Sequence, residues 1–156
     1  MTSLSIRIDV GGTDKIPHTF LVLTHPDGSQ EEYGLAPGNH LKESSYGMSG
    51  KGKIDVTKIS NINDGHEFHI QGPVQELNDS QYQRLMEYIN TSIENPPNYL
   101  LPGKWFPGEG KNCTNWAIDA WQYAELSNTF GVTNPWVWNP YGQGIIPMIN
   151  EKACIL

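Results

Sequence analysis

The residues that invite a chemical reading are one cysteine and five histidines. Cys113 follows the loop Gly108-Glu109-Gly110-Lys111-Asn112, and Cys113, Trp116, Ala117, Ala120, Trp121 and Ala124 then recur at helical spacing on one apolar stripe. A thiol in the first turn of such a helix meets the positive end of the helix dipole and unpaired backbone N–H groups, and both favour thiolate over thiol. The same N–H groups can hold a developing oxyanion, so one piece of backbone would activate a nucleophile and stabilise its tetrahedral intermediate. The plainer alternative makes Cys113 a small buried member of the stripe. Asn112 divides in the same way, between capping the helix and positioning the loop before it.

A thiolate nucleophile needs a general base, normally a histidine aligned by a third polar group. His18 opens an apolar run directly after Pro17, where a strand end can aim an imidazole at a helix N-terminus. His25 lies in the turn at the far end of that run, about 23 Å away at strand rise, and reads as solvated. His40 falls in a loop. His66 and His69 are three apart on an expected strand, so their side chains point to opposite faces and do not chelate one metal. His66 reads as packed and His69 as exposed.

The elements that position these groups are partly visible. Leu4, Ile6, Ile8 and Val10 alternate with polar residues, as in a strand with one buried face. Residues 16–24, the turn His25-Pro26-Asp27-Gly28 and residues 29–34 read as a hairpin, whose first arm is apolar enough to be covered on both faces. Residues 36–63 are rich in Gly, Ser, Lys and Asn and read as loop, with a short strand at 53–59. His66, Phe68 and Ile70 suggest another strand. Asn78, Asp79 and Ser80 offer N-caps for a helix striped by Tyr82, Leu85, Met86, Ile89 and Ile93, which Asn95-Pro96-Pro97 stops. Gly131 lies beyond the second helix. The tail, residues 132–156, has no clear period, and its Trp136, Trp138 and Tyr141 either pack under a long loop or line a groove. The expected class is α+β, in one domain spanning residues 1–156, with an antiparallel sheet packed against helices.

The His-led strand His18-Thr19-Phe20-Leu21-Val22-Leu23, the following Tyr33-Gly34, and Asn112-Cys113-Thr114-Asn115-Trp116-Ala117-Ile118-Asp119 together resemble the circularly permuted papain-like cysteine hydrolases. These are relatives of the NlpC-type cell-wall peptidases in which the His strand precedes the Cys helix. The resemblance spans residues 16–130, and the Asn95 to Leu100 exit of the first helix resembles small bacterial toxin and effector members. It implies Cys113 as nucleophile, His18 as base, and a third residue from the strand after the His strand. Pairing about the Pro26-Asp27 turn, with partners summing to about 53, sets Leu21 opposite Glu32 and His18 opposite Leu35. Glu32 is then the first choice, Gln30 the second and Tyr33 the third. Gln30 and Glu32 share a side and Tyr33 takes the other, and a slip of one residue would exchange them.

Composition excludes several classes. Ten Lys plus Arg stand against seventeen Asp plus Glu in 156 residues, a net charge of −7, and no basic stripe offers counterion release to nucleic acid. Length and aromatic content suffice for a core without metal or disulfide staples. No apolar run reaches the roughly 18 residues of a membrane span, and the first ten residues do not read as a signal peptide. Two cysteines are too few for a disulfide framework, and Cys154 reads as a plain thiol. Synthesis in the cytoplasm is therefore expected, with export by a specialised machine if the protein acts outside. The resemblance implies an amide hydrolase without metal or organic cofactor. It would act on peptidoglycan peptides in a target-cell periplasm, delivered by a secretion-system component such as type VI and restrained by an immunity protein. Two rivals keep the scaffold: an acyl hydrolase or acyltransferase acting on lipid esters with the same Cys–His pair, and a non-catalytic binding module.

Overall fold

A computed structural model describes residues 1–9, 18–44, 47–60, 64–101 and 110–126. It is an α+β fold of one antiparallel sheet and two helices. The strands are β1 (Ser3–Asp9), β2 (His18–Thr24), β3 (Gln30–Ser44), β4 (Gly47–Ile59), β5 (Ile70–Glu76) and β6 (Asn98–Leu101); the helices are α1 (Asp79–Glu94) and α2 (Cys113–Tyr123). The sheet order is β5-β1-β2-β3-β4-β6, which puts β2 in the interior.

Alternation along β1 and β2 sorts their side chains by face. Leu4, Ile6, Ile8, Leu21 and Leu23 join Tyr33 and Leu35 of β3 in a core with Cys113, Trp116, Ala117, Ala120 and Trp121 of α2. The register Leu4↔Leu23, Ile6↔Leu21 and Ile8↔Thr19 keeps the set on one side. Phe20 and Val22 point the other way and are buried as well, so β2 is covered on both faces as its composition predicts.

Two corrections concern strand pairing. The β2–β3 ladder pairs Leu21↔Tyr33, Val22↔Glu32, Leu23↔Glu31 and Thr24↔Gln30, a sum of 54 rather than 53. Tyr33 therefore lies on the helix side of the sheet, and Gln30 and Glu32 lie on the opposite side, with Phe20 and Val22. The stretch read mainly as loop after residue 36 is instead the outer part of the long β3–β4 pair. Its partners run from Gln30↔Ile59 to Ser44↔Gly47, with a register shift between Pro37 and Leu41 where Gly38-Asn39-His40 interrupts the ladder. The strand expected around His66 begins only at Ile70 and continues to Glu76 along β1.

Both helices follow their sequence signals. Asn78 caps α1 in a capping box with Gln81. Leu85 and Ile89 are fully buried, whereas Ile93 is 42% exposed, so the buried stripe ends on Ser92, whose Oγ accepts the indole N–H of Trp116 at 3.0 Å. Residues 98–101, expected only as an exit from α1, form the edge strand β6 along β4. Gly131, the tail residues Trp136, Trp138 and Tyr141, and Cys154 lie outside the described residues.

The start of α2 is fastened to β6. Lys111 N–H donates to Asn98 O (2.9 Å) and Leu100 N–H to Lys111 O (3.0 Å), while Lys111 Nζ reaches Asp119 Oδ2 at 2.8 Å. Gly110 makes the approach possible: its φ is +148°, and a Cβ there would lie 2.8 Å from Leu100 Cγ and against Asn98 O. Gly110→Ala is expected to cost about 1–3 kcal/mol through backbone strain, read by urea unfolding. Unchanged stability would show that the β6–α2 fastening is not held at this point.

Candidate functional site

Asn112 is the N-cap of α2. Its side chain accepts the Asn115 N–H (2.8 Å) and the Asn115 side chain accepts the Asn112 N–H (3.1 Å), a reciprocal capping box. Asn112 thus caps the helix that carries Cys113, the capping side of its two expected roles. The Cys113 sulfur accepts the backbone N–H of Thr19 at 3.3 Å, and the hydroxyls of Thr19 and Thr114 meet at 2.9 Å. The first turn of α2 is therefore docked on the peptide that joins His18 to Thr19.

The structure does not bring the imidazole of His18 to that sulfur. A Cβ on Gly34 would lie 2.7 Å from His18 Nε2, and Gly34 points away from the helices because its neighbours Tyr33 and Leu35 belong to the helix-side core. The ring stacks on Phe20 at 5.7 Å and lies 6.3 Å from the ring of His66. His18 and Thr19 are consecutive strand residues, so Thr19 faces α2 and the imidazole takes the other face. The sulfur differs from expectation too. Cys113 is fully buried and its sulfur is held in a disulfide, so no thiolate stands at the helix start.

Glu32 has a partner, but it is His66. Oε1 accepts both the backbone N–H of His66 (2.9 Å) and its Nδ1 (2.8 Å). Glu32 is 1% exposed, and its Oε2 is buried without a hydrogen bond among the described residues. An ionised carboxylate can only accept, so the Nδ1 proton belongs to this bond and Nε2 is left as the other ring nitrogen. His66, read as packed, has a side chain 44% exposed. His69 is exposed as expected and pairs with Asp9 at 3.2 Å. His25, expected in solvent, is half-buried against Glu31 at 2.9 Å. Gln30 Nε2 donates to Thr24 Oγ1 at 3.1 Å. Tyr33 is packed in the helix-side core, and burial pushes its phenol well above the usual range.

Beside Glu32 lies a cavity of about 210 Å³ bounded by Arg7, Gln30, Ile59, Ser60, His66 and Phe68. The Arg7 guanidinium sits 4.3 Å from the centroid of the Phe68 ring. Sequence reasoning passed over Arg7 as a polar member of an alternating strand. The signal was present: Arg7 is one of only two arginines in the chain, and it shares a β1 face with Asp9. Among the described residues no three His, Cys, Asp or Glu side chains are placed to hold a metal ion, and no helix is long and apolar enough to cross a membrane.

Comparison of the chain with known protein families, with curated proteins and with solved structures found no match.

Burial lowers the pKa of His18 to about 4, helped by the like charge of His66 and opposed by Asp55, Asp9 and Glu32. The folded protein keeps the ring neutral at pH values where an unfolded chain, with a histidine pKa near 6.5, already binds a proton. Stability should therefore fall as pH drops from about 6.5 towards about 4, by up to roughly 3 kcal/mol from this residue. Urea unfolding at a series of pH values checks this against His18→Leu, in which that part of the slope should vanish. An identical slope in the variant would show that His18 titrates as freely as in the unfolded chain.

Proposed function

We propose that the chain is a thiol hydrolase of the permuted papain-like kind and that the described form is its oxidised resting state. One observation carries the reading: the backbone N–H directly after His18 is bonded to the sulfur at the N1 position of α2. A strand-borne histidine and a helix-borne cysteine are thus neighbours along the backbone, although their side chains diverge. Activity begins with a dithiol reductant, which takes over the sulfur–sulfur bond and leaves two protein thiols. To act as base, the imidazole must leave the space over Gly34, and because a strand side chain does not cross the sheet by rotation alone, the backbone at the start of β2 turns to bring it to the sulfur. His18, neutral at pH 7, takes the proton from Cys113, and the thiolate adds to an amide carbonyl. The N–H groups of the first turn of α2 stabilise the oxyanion. His18 returns the proton to the leaving amine, and water releases the acyl group. By resemblance alone, the amide lies in a peptidoglycan peptide and the protein is an exported antibacterial effector with an immunity partner.

A second reading is a non-catalytic binding module on the same scaffold. It is favoured by the disulfide at Cys113 and by the imidazole lying across the sheet from it.

Alkylation separates the two. After reduction with dithiothreitol, iodoacetamide labelling at pH 7 is followed by peptide mass spectrometry. The hydrolase reading expects Cys113 to react at least about tenfold faster than Cys154, with the advantage lost in His18→Ala. It also expects the reduced protein, but not Cys113→Ala, to release peptides from peptidoglycan fragments. Equal alkylation of the two cysteines would sink the hydrolase and leave the binding module.

A further inference from the structure

We infer that the cavity on the sheet face away from α2 is a binding site for a small carboxylate that carries a hydroxyl or ammonium donor beside it, held by Arg7 and His66. This site is independent of the hydrolase reading, since it uses no atom of Cys113.

Arg7 supplies the first half of the recognition. Its Nε–H is taken by Gln71 Oε1 at 3.0 Å, and its guanidinium plane rests over Phe68, which fixes the side chain at the cavity wall. No carboxylate forms a salt bridge with it among the described residues, and Glu32, whose charge reaches it, is committed to His66. A partly buried guanidinium with its terminal N–H groups open to a ligand matches the two oxygens of a carboxylate.

His66 supplies the second half. Glu32 holds it by both its backbone N–H and its Nδ1, so the ring cannot reorient without breaking a part-buried bond. In the ring form that donates Nδ1–H to Glu32 and is unprotonated at Nε2, Nε2 carries a lone pair and accepts a hydrogen bond. A bare carboxylate offers Nε2 nothing; a ligand with an O–H or N–H on the neighbouring carbon does. Ile59 and Phe68 make part of the wall apolar, which suits a short alkyl stem. The buried charge of Glu32 disfavours a dianion such as phosphate.

Lactate and propionate share a three-carbon skeleton and differ by one hydroxyl, which makes them a direct test. Each sodium salt, and sodium phosphate, is titrated into the ¹⁵N-labelled full chain at constant ionic strength, and amide and side-chain shifts are followed by NMR. Lactate should saturate while moving the signals of Arg7 and His66, and propionate should bind several-fold more weakly. Arg7→Gln should weaken lactate at least about tenfold, the loss of a charge-assisted contact. Arg7→Lys, which keeps the charge without the fork, should fall between and serves if the glutamine variant does not fold. In His66→Phe the preference for lactate over propionate should disappear. Propionate binding as tightly as lactate, phosphate binding more tightly than either, or lactate binding indifferent to Arg7 would overturn the assignment.

Discussion

Much of the described architecture depends on how Thr19 is satisfied. Its side chain is buried, its N–H is given to the Cys113 sulfur and its hydroxyl meets Thr114, so the first turn of α2 and the beginning of β2 are joined by polar contacts inside an otherwise apolar layer. A buried N–H without a partner costs about 1–3 kcal/mol, so this bond fixes where the helix can start relative to the strand. Everything further along α2 follows. Trp116 reaches Ser92 of α1, and Ala117, Ala120 and Trp121 fill the space above Leu21 and Leu35. The capping box of Asn112 and the tie between Lys111 and β6 hold the same turn from the other side.

Because β2 is buried on both faces, adjacent residues in it serve two separate environments. Thr19 belongs to the helix side and His18 to the side of Phe20, Glu32 and His66. The two sides differ in kind. The helix side is apolar except at the start of α2. The far side gathers Arg7, Glu32, His66 and His18, with the Glu32–His66 pair made and Glu32 Oε2 left without a hydrogen bond among the described residues. Chemistry at Cys113 would therefore need a change of redox state and a turn of the backbone that carries His18, whereas a ligand in the Arg7–His66 cavity would meet groups that are already oriented. The lowered pKa of His18 follows from this partition, since the ring is buried against Phe20 and the Gly34 backbone, and desolvation outweighs the pull of Asp55, Asp9 and Glu32.

What could be read from the sequence was whatever depends on local periodicity. β1, β2, α1 and α2 lie where alternation, the apolar stripes and the Asn caps place them, because those signals act over a few residues. The pairing register could not be read to one residue. The Pro26-Asp27 turn leaves open whether partners sum to 53 or 54, and that single step exchanges the faces of Glu32 and Tyr33. The long β3–β4 pair was hidden because Gly, Ser and Lys are weak strand formers, and its order comes from cross-strand bonding rather than from side-chain pattern. Cys113 was recognisable as a helix-start residue from Asn112 and the stripe beyond it. Its oxidation state was not, since composition cannot say how two cysteines stand in space.

The pairing of Glu32 with His66 shows a further limit of linear reading. The two are 34 residues apart, and the segment that carries His66 is not a strand, so neither alternation nor turn chemistry links them. They are linked by the cost of burying a carboxylate. Glu32 is a buried carboxylate on an interior strand, and a charge so placed requires donors. Lys53 and Lys58 of β4 do not meet that need, since among the described residues Lys53 pairs with Asp55 and Lys58 with Glu31. The segment before β5 folds back instead and offers a backbone N–H and a ring nitrogen to one oxygen. The second oxygen remains without a hydrogen bond among the described residues. Together with a guanidinium that no carboxylate bridges among the described residues, this leaves the far face of the sheet with its charges held apart rather than neutralised against each other. A bound ligand carrying both an anion and a donor is the arrangement that would satisfy them.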